Sequence, residues 1–113
     1  MATINVYEQY FLAKGEFNGV ERKGVSVMLV SDSSEGNIRY EVAVSFFPHR
    51  DAEDFAISYD AYFSKVLYES KGRRSRKRES SLLDSLREEA DALASVNGAA
   101  IFWDKPLIEA RRG

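Results

Sequence analysis

Residues 71–78 read Lys-Gly-Arg-Arg-Ser-Arg-Lys-Arg, and six of the chain's 16 basic residues fall within them. Lys71, Arg73, Arg74, Arg76, Lys77 and Arg78 offer one chemistry. They attract and neutralise anions, either the phosphates of a nucleic acid or an acidic protein face. Four arginines to two lysines suits bidentate contacts to phosphate oxygens. Such contacts hold a nucleic acid without reading its sequence. The plainer alternative is a solvated loop balanced by the acids that follow it: Glu79, Asp84, Glu88, Glu89 and Asp91. The formal net charge of the chain is −2, so setting these six cations aside leaves −8 on the remainder. That remainder would repel nucleic acid and suit a basic partner.

Two further groups of residues have chemical potential. Tyr59, Tyr62 and Tyr68 lead into the basic run, and single-stranded bases stack on exposed aromatic rings beside cations. Tyr62 and Tyr68 therefore join the six cations as the candidate contact surface. Their alternative employment is core filling, since tyrosine carries a large apolar ring with one polar end. His49-Arg50-Asp51-Ala52-Glu53-Asp54 sets the single histidine beside three carboxylates. That set could hold Mg²⁺ or Mn²⁺, or do acid–base work. The same polar types are what a turn or helix start after Pro48 requires. No nucleophile elbow or phosphate-cradling glycine motif is present, and Gly15, Gly19 and Gly24 are too widely spaced for a nucleotide loop. The chain has no cysteine, which removes disulfides and thiolate metal sites.

These residues predict a non-enzymatic binding or regulatory protein without a cofactor. It would engage nucleic acid or a nucleoprotein complex through the basic loop. The competing expectation is a protein-only inhibitor or adaptor, of the kind mobile elements encode, that uses its acidic surface. A metal-dependent nuclease built on His49 and Asp51 is the remote third. Strand edges would also permit a two-fold oligomer.

The scaffold that must position them is small. A length of 113 residues fits one domain over 1–113, large enough to bury about two-thirds of its unfolded surface. Apolar residues make up 44% and charged residues 30%, ordinary values for a globular chain. The N-terminus lacks the basic region and apolar run of a signal peptide, and apolar stretches fall far short of the roughly 20 residues of a membrane helix. The expected location is the cytoplasm, without membrane contact.

Along the chain, Thr3–Lys14 is rich in Ile, Val, Tyr and Phe and predicts a first strand. Asn18-Gly19 is a tight-turn dipeptide between Phe17 and Val20. Val25–Val30 and Ile38–Phe47 are apolar runs joined by a polar, Gly-containing loop, which predicts a hairpin ended by Pro48. Residues 55–68 are ambiguous. Phe55, Ile57, Tyr59 and Ala61 alternate like a strand, whereas Phe55, Tyr59, Tyr62, Phe63, Val66 and Leu67 follow helical spacing. The spacing predicts a helix there, capped by Asp51. Ser81–Val96 predicts a second helix, with Leu82, Leu86, Ala90 and Leu93 on one stripe, Ser80 or Ser81 as cap and Asn97-Gly98 as terminator. Ala99–Trp103 predicts a short strand stopped at 104–106, followed by a tail that carries Arg111 and Arg112. The order is that of an α+β fold, an antiparallel sheet of about four strands against one or two helices. A small β-barrel with one helix is the alternative if 55–68 is extended.

Overall fold

The computed structural model of the chain describes residues 2–17, 19–48 and 61–106. It is an α+β fold: a five-stranded antiparallel sheet with one helix packed on it. The elements are β1 (Ala2–Phe17), β2 (Val20–Ser34), β3 (Asn37–Phe47), β4 (Ala61–Lys71), α1 (Arg76–Val96) and β5 (Ala100–Pro106). Their order across the sheet is β4-β3-β2-β1-β5. β4 and β5 are its two edges, so the sheet is open and the barrel alternative is set aside.

Alternation along the strands builds the two faces. Val25, Val27 and Leu29 of β2 and Ile38, Tyr40, Val42, Val44 and Phe46 of β3 are all buried in one core. Phe11 and Ala13 of β1 and Ile101 of β5 extend it, and Leu86, Ala90 and Ala94 of α1 close over it. Full burial of each large side chain contributes about 1.5–3 kcal/mol. The rings of Phe17, Phe46 and Phe63 pack within 5.4–6.2 Å of one another and tie β1, β3 and β4 together.

Residues 61–68 are extended, which overturns the helix expected there; residues 55–60 and the proposed Asp51 cap lie outside the described residues. The ambiguous side-chain pattern is decided by the neighbour. β3 offers its whole length for pairing, and β4 takes it from Phe46↔Ala61 to Asn37↔Lys71. Only a shift after Tyr40, where Leu67 is the extra residue, interrupts the ladder. β5 runs on to Pro106 rather than stopping at residue 104; a proline is tolerated there because β5 is an edge strand. No helix among the described residues is long and apolar enough to cross a membrane.

Candidate functional site

Helix α1 begins at Arg76, five residues before the expected start, so half of the basic run is helical rather than loop. Ser75 is the N-cap: its backbone is extended and its side chain accepts from the Arg78 N–H at 3.2 Å. Its carbonyl accepts the first helical bond, from the Glu79 N–H at 2.9 Å. Upstream, Gly72 turns the chain at φ +119, a conformation open to glycine and costly for other residues. The Gly72 N–H donates to the Gly36 carbonyl at 2.7 Å, which pins the connector to the β2–β3 turn.

A buried polar cluster fixes this junction. Tyr40 is fully buried at the helix-covered face of β3. Its hydroxyl donates to Glu79 Oε2 at 2.7 Å and accepts from the Ser75 N–H at 3.2 Å. Arg74 grips the same carboxylate with both prongs, Nε to Oε2 at 2.7 Å and Nη2 to Oε1 at 3.1 Å. The Arg74 guanidinium, with the Tyr40 hydroxyl, holds the Glu79 carboxyl below its ordinary range against the opposing effect of burial. Burial pushes the Tyr40 hydroxyl up, and the Glu79 contact raises Arg74 further.

The six cations therefore divide. Arg74 serves the junction. Arg78 lies over the Tyr68 ring, its guanidinium carbon 4.1 Å from the centroid. Lys71, Arg73, Arg76 and Lys77 are exposed and make no ion pair with a carboxylate among the described residues. Arg76, Lys77 and Arg78 crowd the first turn of α1, where the positive end of the helix dipole disfavours cations by about 0.3–1 kcal/mol each. Glu79, the acid of that turn, is already committed to Arg74 and Tyr40.

The structure brings Tyr68 to this cluster, with its ring occupied by Arg78. It does not bring Tyr62. That residue is nine positions before Lys71 along β4, about 30 Å at strand rise. It pairs with Ser45 on the face of the sheet away from α1. His49 to Asp54 lie outside the described residues. No group of three or more His, Asp or Glu among the described residues is placed to hold a metal ion.

Sequence reasoning missed Tyr40 and Glu79. Tyr40 was legible only as an inward strand residue, and Glu79 only as one of several counter-charges. The available signal was Ser75, a capping residue in the middle of a run of good helix formers. No protein-family model, curated protein or solved structure matches this chain.

Proposed function

We propose that the protein is a non-catalytic binding protein that holds the phosphates of a nucleic acid along the ridge Lys71, Arg73, Arg76 and Lys77. The observation that carries this reading is the concentration of exposed cations in and just before the first turn of α1, with no ion pair among the described residues. A fold selected for stability alone would place acids there. Here the acid of the first turn is spent on anchoring the connector, and Arg76 and Lys77 stay exposed with no ion pair among the described residues. Arg78 is held over the Tyr68 ring and is not one of the four phosphate contacts.

The chemistry is backbone neutralisation, which is sequence-blind. Tyr62 plays no part in it, because it belongs to the opposite face. Fluorescence anisotropy with a labelled duplex and a labelled single strand at low salt tests the reading. The triple variant R73A/R76A/K77A keeps the Arg74 anchor and should bind about tenfold or more weakly. No binding of either probe by the wild-type chain at low salt overturns it.

A further inference from the structure

Arg78 is held in place from both of its ends. Its backbone N–H donates to the Ser75 hydroxyl at 3.2 Å. Its guanidinium carbon lies 4.1 Å from the centre of the Tyr68 ring. Tyr68 packs in turn against Tyr40, with ring centroids 6.4 Å apart. Tyr40 is fully buried, and its hydroxyl is tied to Glu79 and to the Ser75 N–H. A chain of contacts thus runs from the core of the sheet out to one surface guanidinium. An arginine side chain ordinarily loses much rotamer freedom on binding. Here folding has already ordered it.

The aromatic contact sets Arg78 apart from the ridge cations. A guanidinium is planar, and a ring beneath it covers at most one of its faces. Arg78 is exposed and makes no ion pair with a carboxylate among the described residues. Unstacked bases lie on such arginine planes as they do on aromatic rings. The sequence alone assigned stacking to Tyr68, whose ring Arg78 overlies. The position suits the role as well. Arg78 follows Arg76 and Lys77 in the first turn of α1, so a strand whose phosphates rest on those two passes beside its plane.

We propose that the Arg78 guanidinium, carried on Tyr68, is the stacking platform for one base, and that the ligand of the ridge is therefore a single-stranded nucleic acid. The inference rests on the phosphate-ridge reading and names the substrate class for it. A duplex keeps its bases stacked on one another and offers none to this plane. Its charge density is the higher of the two, so phosphate neutralisation alone would favour it. A preference for the single strand is thus an effect that the ridge cations by themselves do not produce. Every base has a ring face, so the contact tolerates any sequence.

The test uses the full chain at low salt, with fluorescence anisotropy of a labelled oligothymidylate, an abasic strand of the same length and a duplex. The oligothymidylate is expected to bind at least about fivefold more tightly than the abasic strand, and more tightly than the duplex. Arg78→Lys keeps the charge and loses the plane. It should bring the oligothymidylate down to the abasic level while its salt slope stays the same. Tyr68→Leu, shown to be folded by circular dichroism, leaves the guanidinium without its support and should lose part of the preference. Equal binding of the thymidine and abasic strands by the wild-type chain overturns the platform and leaves the ridge standing. So does a preference that survives intact in Arg78→Lys, which would reduce the Tyr68 contact to a brace between β4 and α1. Binding of none of the three probes overturns the ridge, and the platform with it.

Discussion

Replacing Tyr40 by Phe isolates the cluster that anchors the ridge. The ring is fully buried and would stay in place, so no cavity forms. What is lost is the hydroxyl, which donates to Glu79 at 2.7 Å and accepts from the Ser75 N–H at 3.2 Å. A hydrogen bond to a charged group contributes about 1.5–3 kcal/mol, and a neutral one about 1 kcal/mol. Ser75 is exposed, so its N–H recovers water and most of the second amount is regained. The expected loss is about 2–3 kcal/mol, a large share of the roughly 5–15 kcal/mol that stabilises a typical domain. Urea unfolding followed by circular dichroism measures it, with an unchanged denaturant slope as the sign that the folded and unfolded states keep their surfaces. A double-mutant cycle with Glu79→Gln should return a coupling of about 1–2 kcal/mol. A loss under about 0.5 kcal/mol, or additive single effects, would refute the claim that these groups act as one unit.

Glu79 has a depressed carboxyl in the folded chain, so its stabilisation is complete above the ordinary glutamate value of about 4.3 and fades as pH falls below that value through the folded one. Glu79→Gln should flatten acid unfolding in that window and leave the pH dependence between 6 and 8 (about neutral) unaltered; an unchanged acid limb would contradict the assignment. Ser31 is fully buried and its hydroxyl has no hydrogen-bond partner among the described residues, so Ser31→Ala should stabilise the chain by about 1 kcal/mol in the same urea assay. Destabilisation would mean that a water satisfies that hydroxyl. A Cβ at Gly24 would sit 2.5 Å from the Phe47 ring, so Gly24→Ala should cost about 1–3 kcal/mol and Phe47→Leu should recover part of it. Equal stability of Gly24→Ala and the wild type would show the ring moves aside freely.

How far the sequence carried is clearest at particular elements. The β2–β3 hairpin was legible because its apolar residues alternate on either side of a Gly-containing turn, and local chemistry there agrees with the final pairing. The α+β class followed from the same kind of pattern. Residues 61–68 were misread because their helical spacing is real but irrelevant. Once β3 supplies a pairing partner, the backbone bonds of the ladder decide, and that partner is distant in sequence. The start of α1 was placed late because the reading followed leucines, whereas the first turn is held by a cap and a half-buried ion pair rather than by apolar contact. The division of the six cations into anchored and free ones was not legible at all. It depends on Tyr40, which lies 39 residues from Glu79 and meets it only in the fold.

The central claim is that Lys71, Arg73, Arg76 and Lys77 face outward to neutralise phosphates while Arg74 does not. The salt dependence of duplex binding tests it most directly. Each neutralised phosphate contributes a slope of about −0.9 in log K against log salt, so four free cations predict a slope of about −3.6 and six would give about −5.4. The account predicts a value near the smaller figure that falls toward about −0.9 in R73A/R76A/K77A, where Lys71 alone remains. A slope that is unchanged in the triple variant would contradict the account.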